Sequence, residues 1–322
     1  MLLLRRSLYR RIFVALSCVA LLSIITLGVV AYVTQRTVLE QQFSAELNSV
    51  AAFKEAQIVS WFAERKSDVT FLSENQLNRE QLAALLFSAD DQAMQADYAR
   101  TLRETLRSMQ RSRTDYTRIL IADPTGKVLV SPTEALVGQQ VKNQKALAGT
   151  LAFGAKSPPE VYVQDITFNE SSGAYEMCFG RVIYAPDAAV DDSSKGKPAV
   201  IGILIVIADM DASIYQFLND WNMGETGTAV LSQAEAGGTR ILNQVRYDET
   251  KPLERLLPYA ADDTAKPAQL AAYGGEGKQV AIDHLGEKDH GLQVSARGGM
   301  GTCAEDEHQR DFFATAPPDR AG

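Results

Sequence analysis

The sequence predicts an α+β protein with an N-terminal transmembrane helix, a long amphipathic helix after it, and antiparallel β-sheets in the rest of the chain. Three observations lead to this prediction. Residues 13–33 contain no charged residue, residues 38–73 carry apolar side chains at helical spacing, and short β-type runs separated by turn residues begin at Tyr116. The chain has 322 residues, 46% hydrophobic and 22% charged, enough to form one large or two modest globular domains outside the membrane.

The uncharged run at residues 13–33 is long enough to cross a bilayer. At about 1.5 Å rise per residue, a helix of this length covers roughly 30 Å of hydrocarbon. Arginines at positions 5, 6, 10 and 11 directly precede it, and such a cluster holds residues 1–12 in the cytoplasm. A cleaved signal peptide is the alternative, but its apolar region is usually about 7–15 residues long. We therefore expect a single-pass membrane protein whose chain is extracytoplasmic from residue 34 onward.

Two helices are predicted between the membrane and the first strand. The longer one covers residues 38–73, and no proline or glycine interrupts the chain between the transmembrane run and residue 78. One nearly continuous helix can therefore leave the bilayer, where it can transmit movement, pair with a second copy, or simply pack on its own domain. The second helix covers residues 91–110. Its apolar positions at helical spacing are Tyr98, Leu102 and Leu106.

The chain then changes to short β-type runs. Residues 116–122 and 127–131 predict a hairpin around the turn residues 123–126, Asp-Pro-Thr-Gly. The further predicted elements are strands at 160–168, 175–184 and 199–208, an exposed loop at 187–198, a helix at 211–222, and strands at 228–232, 241–245 and 278–282. The run at 199–208 is too short for a second membrane span, which needs about 20 apolar residues, and predicts a central buried strand.

Composition and motifs argue against several functions. The formal net charge is −8 even with the four leading arginines, so no nucleic acid is expected as a partner. The sequence contains no Walker-type phosphate loop and no Gly-x-Ser-x-Gly elbow. The histidines at positions 284, 290 and 308 have no metal-ligand spacing. We expect no catalytic activity, no metal and no cofactor in this chain, and we interpret Cys178 as a buried apolar residue.

Several short motifs follow one another in a set order along the chain. They are the arginine-flanked anchor, the long helix with Ile58, Trp61 and Phe62, the hairpin around Asp123 and Gly126, Gly138 followed by residues 146–149 (ALAG), residues 224–231, Arg246-Tyr247 and Pro252-Leu253. In this order and spacing they resemble the double Cache sensor domains of bacterial transmembrane receptors, whose two modules are similar to the PAS fold. The resemblance implies an extracytoplasmic sensor at residues 34–288, with a distal module at about 80–210 and a proximal module at about 211–288.

The resemblance also implies a sensory function. We expect the ligand-sensing region of a receptor in the bacterial inner (plasma) membrane, with the bulk of the chain periplasmic. A sensor histidine kinase is expected first, and a diguanylate cyclase or chemoreceptor next. A small-molecule ligand in the distal module would shift the helix at 38–73 through a change in populations, and two copies are expected to form a homodimer. The alternative is a membrane-anchored periplasmic binding protein that is complete in itself.

In double Cache sensors the ligand usually lies in the distal module, against the sheet and beneath the loop after the first hairpin. By position, the resemblance implies six ligand-binding residues: Tyr116, Arg118, Tyr162, Asp165, Tyr175 and Arg181. Arg181 would bind a carboxylate, Asp165 an amine, and the tyrosines would form the walls. Because strand side chains alternate, half of the six can face the opposite side of the sheet. Residues 139–145 lack the family's Arg-Pro-Tyr-Phe or Arg-x-Trp-Tyr segment, so an amino acid bound in the familiar way is not expected.

The last residues, 289–322, do not match the family, whose second module closes with a Gly-Trp-Gly-Leu strand followed by a second membrane helix and a cytoplasmic output domain. Read one nucleotide later, the codons of Met300 and Gly301 give TGG, which encodes tryptophan without any choice. We therefore predict a frameshift just before Asp289 and a truncated receptor. The alternative is a genuine disordered tail, which is common at chain termini.

Overall fold

The computed structural model describes residues 2–87, 91–156, 158–186, 199–219, 229–245, 249–258, 266–272, 277–282 and 288–293. The helices are α1 (Leu2–Glu74), α2 (Gln76–Phe87), α3 (Gln92–Ser112), α4 (Gln144–Gly154), α5 (Ile214–Asn219) and α6 (Lys266–Ala272), with one 3-10 turn at Glu134–Leu136. The strands are β1 (Tyr116–Ala122), β2 (Val128–Val130), β3 (Tyr162–Asn169), β4 (Ala174–Tyr184), β5 (Val200–Asp209), β6 (Ser232–Glu235), β7 (Gly238–Ile241), β8 (Leu256–Pro258), β9 (Gly277–Ile282) and β10 (Lys288–Gln293). By its internal contacts the chain forms two units, Met1–Phe53 and Lys54–Gly322.

The N-terminal apolar helix is confirmed. Within α1, the stretch Phe13–Leu39 has a mean hydropathy of 2.6 and is long and apolar enough to cross a membrane, by length and composition. The long helix predicted at residues 38–73 is confirmed as part of α1, which ends at Glu74; the chain up to residue 78, although it contains no proline or glycine, does not continue this helix. Asn75 is the reason, because its side chain accepts a hydrogen bond from the Asn78 amide at 3.2 Å and so caps the new helix α2.

The first five strands form one antiparallel sheet in the order β2-β1-β5-β4-β3. As predicted, β5 lies in its centre and is buried along its whole length except at the two end residues. One face of the sheet packs against α1, α2 and α3 through a core that includes Trp61, Leu82, Leu102, Phe179 and Leu204. The other face packs against α4 through a second core that includes Leu120, Val141, Leu147, Ile203 and Ile205. The sheet therefore has a face covered by α1–α3 and a face covered by α4.

Asp123 holds the turn between β1 and β2, where a hairpin turn is predicted. Its Oδ1 accepts hydrogen bonds from the Thr125 amide (2.9 Å), the Thr125 hydroxyl (2.6 Å) and the Lys127 amide (3.0 Å). Gly126 follows with φ +92°, a conformation that glycine adopts at no steric cost. The Asp-Pro-Thr-Gly sequence thus supplies both the acceptor and the left-handed residue that this turn requires.

Replacing Asp123 with alanine is expected to lower the free energy of unfolding by about 1 kcal/mol at pH 7. Burial raises the pKa of Asp123, but the hydrogen bonds from Thr125, Lys127 and Gly126 outweigh it and hold the pKa below its usual value. The resulting stabilisation is present above the unfolded-state pKa of about 3.9 and is lost as the pH falls through the folded-state pKa. Denaturant titration should therefore show that the difference in the free energy of unfolding between variant and parent becomes smaller below about pH 4. A difference that stays constant through this range would contradict the assigned role of the carboxylate.

The second part of the chain forms a three-stranded sheet in the order β6-β7-β8 and a pair, β9 and β10. The strand predicted at residues 228–232 is wrong in position, since β6 begins only at Ser232. Asn243 explains the shift, because its side chain bonds to the Leu231 amide (2.6 Å) and the Ala229 carbonyl (2.9 Å) and occupies backbone groups that a strand would use. The strand predicted at 241–245 is likewise displaced, since β7 ends at Ile241.

Several other predictions fall at the edges of the described residues. The predicted exposed loop at 187–198 and the tail from residue 294 lie outside them. The helix predicted at 211–222 is described only as α5, Ile214–Asn219. The first residues of the predicted tail form strand β10, which pairs antiparallel with β9.

Leu242, from the second part of the chain, belongs to the same buried core as the α1–α3 face of the large sheet.

Candidate ligand-binding site

Backbone pairing aligns residues of four strands in rows across the α4 face of the large sheet. One row consists of Arg118, Ile207, Cys178 and Gln164. The next row consists of Leu120, Ile205, Gly180 and Tyr162. The first row has a polar residue at each end, whereas the second is apolar apart from the hydroxyl of its tyrosine. The polar character of this face is therefore concentrated at one end of the strands.

Helix α4 packs directly on the apolar part of this face, and three glycines allow the close approach. A Cβ on Gly180 would lie 1.9 Å from Thr150 Oγ1, and one on Gly154 would lie 2.4 Å from Val182 Cγ1. A Cβ on Gly149, which like Gly154 belongs to α4, would lie 2.3 Å from the ring of Tyr162. Helix and sheet are in contact at all three positions, so a ligand on this face has to bind beside α4.

A group of polar side chains lies on this face at the N-terminal end of α4, and we call it the polar corner. Its members form two bonded sets, Asn143 with Gln164, and Glu176 with Arg118 and Asn169. Asn143 is the N-cap of α4, and its Nδ2 donates to Gln164 Oε1 at 2.8 Å. This bond joins the start of the helix to the row that contains Arg118.

Glu176 is the best-partnered group in the polar corner. It pairs with Arg118 and accepts hydrogen bonds from Asn169 Nδ2 (2.9 Å) and Ser172 Oγ (3.0 Å). Its side chain is only 8% exposed, whereas that of Arg118 is 31% exposed. The arrangement buries a carboxylate that has three partners and leaves about a third of the Arg118 side chain accessible to solvent.

Cys178 lies between Arg118 and Gln164 in the first row of this sheet face. It is buried, as predicted, and burial raises the pKa of its thiol to about 12. The nearby Arg118 lowers that pKa and Glu176 raises it, both by less than burial does. The thiol is therefore neutral at physiological pH, which makes it a packing group rather than a nucleophile.

Three of the six predicted site residues lie on the face covered by α1–α3. Arg181 donates from Nη1 to Thr70 Oγ1 at 2.6 Å and pairs with Glu74, both on α1. Tyr116 donates its hydroxyl to Asp68, also on α1, and Tyr175 packs against Phe168 and Tyr215.

The other three predicted residues are divided as well. Tyr162 is on the α4 face, but its ring packs against Phe153 of α4 and fills the space beside Gly149. Asp165 lies in an irregular part of β3 and accepts a hydrogen bond from Gln233 at 3.4 Å. Only Arg118 lies in the polar corner, so the six do not form one cluster, and their roles in binding remain predictions.

Sequence reasoning missed the other four members of the polar corner. One signal could have found Glu176: it is the only acidic residue in the strand predicted at 175–184, where Arg181 is the only other charged residue. A buried carboxylate in a strand needs partners, and its partners mark a polar site. For metal binding, the described residues contain no group of three or more His, Cys, Asp or Glu side chains that could hold an ion.

No protein-family model and no curated protein matches the chain. Solved structures do match it. The sensor domain of the V. cholerae histidine kinase DctB is 14% identical at a TM-score of 0.37, with 55% of this chain and 60% of that domain covered. The ligand-binding domain of the Pseudomonas aeruginosa amino acid chemoreceptor PctC, in complex with GABA, is 14% identical at a TM-score of 0.46, with 76% and 88% covered. The ligand-binding domain of the Pseudomonas fluorescens chemoreceptor CtaA, in complex with L-serine, is 13% identical at a TM-score of 0.40. The match covers 67% of this chain and 77% of that domain.

The chain is thus similar to sensor and ligand-binding domains of histidine kinases and chemoreceptors, the class of protein that its motifs resemble. It spans less than two thirds of the DctB domain. At these identities and TM-scores, the likenesses assign neither a ligand nor a residue role to this chain.

Proposed function

We propose that this chain is the extracytoplasmic ligand-sensing region of a bacterial transmembrane receptor, of the type found in sensor histidine kinases, and that it binds a small molecule at the polar corner. The observation that carries the proposal is the partly exposed Arg118 paired with the buried Glu176, beside an apolar row of the same sheet face. An apolar surface with a few convergent polar groups is typical of small-molecule sites. No catalytic role is proposed for this chain.

The chemistry of the polar corner limits the ligand. A guanidinium has five N–H donors, and the pair with Glu176 leaves Arg118 able to donate to a further acceptor. A carboxylate fits a guanidinium best, because two parallel N–H···O bonds can form. Glu176 can accept from an amine that displaces one of its present donors. We therefore propose a small carboxylate ligand, with or without an amine, that binds beside α4.

The proposal is tested by the binding of a panel of short mono- and dicarboxylates and amino acids to the full chain in lipid nanodiscs, measured by calorimetry. Arg118→Gln is expected to weaken the binding of any hit by about tenfold or more, since a hydrogen bond to a charged group contributes about 1.5–3 kcal/mol. A panel with no hit on the parent chain would count against a carboxylate ligand.

Arg181→Gln is the matched comparison, because it removes the same charge from the opposite face of the sheet. We expect it to leave affinity within a factor of about two. Loss of binding in Arg181→Gln together with normal binding in Arg118→Gln would place the site on the α1–α3 face and refute the polar corner.

The type of receptor depends on what the gene encodes after residue 288. Resequencing through the codons of Lys288 and Asp289 tests the predicted frameshift directly. A single-base change that restores a Gly-Trp-Gly-Leu strand, a second membrane helix and kinase motifs would support the histidine kinase proposal. Cyclase or chemoreceptor motifs in that frame would replace it with one of those receptor types. An unbroken frame at Lys288 would refute the frameshift.

A further inference from the structure

A cluster of charged and aromatic side chains joins α1 to the start of β1. Asp115 directly precedes β1, and its Oδ2 accepts three hydrogen bonds: from Trp61 Nε1 (2.9 Å), Arg65 Nε (2.9 Å) and Arg65 Nη2 (2.8 Å). The carboxylate and the guanidinium side chains are only 5% and 7% exposed. A bond set of this kind fixes both the distance and the orientation between helix and strand.

The next residue adds a second contact with α1. The Tyr116 hydroxyl donates to Asp68 Oδ2 at 2.8 Å, and Arg113 Nε donates to the same oxygen at 3.0 Å. The guanidinium of Arg65 lies over the rings of Trp61 and Tyr116, with centroid distances of 5.2 and 5.0 Å. We call these six residues, Trp61, Arg65, Asp68, Arg113, Asp115 and Tyr116, the α1–β1 cluster.

The α1–β1 cluster and the polar corner share one short piece of backbone. Arg118 is two residues after Tyr116, but a bulge between them turns the two side chains to opposite faces of the sheet. Thr117, in the bulge, donates its hydroxyl to the Ile207 carbonyl of β5 at 3.2 Å. A change in the β1 backbone at Arg118 therefore lies within three residues of Tyr116 and Asp115, which bond to α1.

We propose that the α1–β1 cluster is the contact through which a change at the polar corner shifts α1. The proposal rests on the proposed function in one respect, namely that the ligand acts on Arg118. A second contact joins sheet and helix, from Arg181 on β4 to Thr70 and Glu74. The side chain of Glu74 is 62% exposed, so this ion pair is screened by water, whereas the side chains of Arg65 and Asp115 are only 7% and 5% exposed.

The test uses Trp61 as its own reporter. The sequence has two tryptophans, so Trp221→Phe leaves Trp61 alone against the charges of Arg65 and Asp115. Movement of those charges changes the electric field at the indole and hence its emission maximum. Glu176→Gln, which removes the charge partner of Arg118, then perturbs the polar corner of the full chain in nanodiscs with no ligand present.

We expect Glu176→Gln to shift the Trp61 emission maximum in the Trp221→Phe background. The same substitution should produce little or no shift when Asp115→Asn is also present, and an undiminished shift when Glu74→Gln is present instead. A shift that survives Asp115→Asn at full size, that is lost with Glu74→Gln, or that never occurs in a folded protein would overturn the proposal. Circular dichroism establishes that each variant is folded.

A milder variant covers the case in which Asp115→Asn does not fold. Tyr116→Phe removes only the hydrogen bond to Asp68, and we expect it to reduce the shift caused by Glu176→Gln, whereas an unchanged shift would overturn the proposal. Since no ligand enters this experiment, its failure leaves ligand binding at the polar corner intact. Conversely, normal ligand binding by Arg118→Gln would refute the site and leave the emission result unaffected.

Discussion

Replacing Asp115 with alanine is expected to lower the free energy of unfolding by about 3–5 kcal/mol, the usual cost of leaving one partner of a buried ion pair uncompensated. The substitution removes the acceptor of three hydrogen bonds and leaves the buried guanidinium of Arg65 without its hydrogen-bonded carboxylate. Glu64 and Asp68, at 3.6 and 3.7 Å from Arg65 Nη1, keep ion pairs with the guanidinium, but they do not make the hydrogen bonds that Asp115 supplies. Urea unfolding of the full chain in detergent, followed by circular dichroism, measures the loss.

Two further variants make this result specific. Asp97→Ala removes an exposed ion pair with Arg100, in which the Asp97 and Arg100 side chains are 59% and 74% exposed. This substitution should lower the free energy of unfolding by less than about 1 kcal/mol. The double variant Arg65→Met, Asp115→Leu removes both charges and should recover part of the stability lost in Asp115→Ala, since the Trp61 Nε1–H lacks its acceptor in both variants. Equal losses in Asp115→Ala and Asp97→Ala, or no recovery in the double variant, would show that the buried charge is not the cause.

Helices α1 and α3 and the central strand were predictable because their signals are local, whereas α2 and α4 were not predicted. The apolar run and the helical spacing of Trp61 and Leu72 predict α1, and Leu102 and Leu106 predict the buried stripe of α3. The continuous apolar run of β5 predicts a strand that is covered on both faces. The pairing of Arg65 with Asp115 could not be predicted, because the two residues are 50 positions apart and neither has a local pattern.

The candidate site was predicted less well because it depends on register. Strict alternation gives Tyr116 and Arg118 the same face, but the bulge between them places the two side chains on opposite faces. A second irregularity lies between Gln164 and Thr167, so strand alternation does not give the sheet face of Asp165. Bulges have no reliable sequence signal, so a list of site residues drawn from strand position alone mixed the two faces.

Replacing Gly180 with alanine is the second large effect that we expect, a loss of about 2–3 kcal/mol in the free energy of unfolding. The new Cβ would lie 1.9 Å from Thr150 Oγ1 and 3.1 Å from its Cγ2. Thr150 is fully buried and donates its hydroxyl to the Ala146 carbonyl at 2.7 Å, so its side chain has no free direction in which to turn. Helix α4 therefore has to move away from β4, and urea unfolding measures the cost.

Thr150→Ala identifies the contact that causes this loss. It removes the two Thr150 atoms that follow Cβ, so Gly180→Ala should cost clearly less in the Thr150→Ala background than in the parent chain. Equal costs in both backgrounds would mean that α4 is not held against the sheet by this contact.

The outcome also bears on where a ligand can bind. If the two substitutions are strongly coupled, helix and sheet touch at Gly180 in solution, and a ligand has to bind beside α4, at the polar corner. If they are independent, the space beneath α4 becomes an equally good place for the ligand.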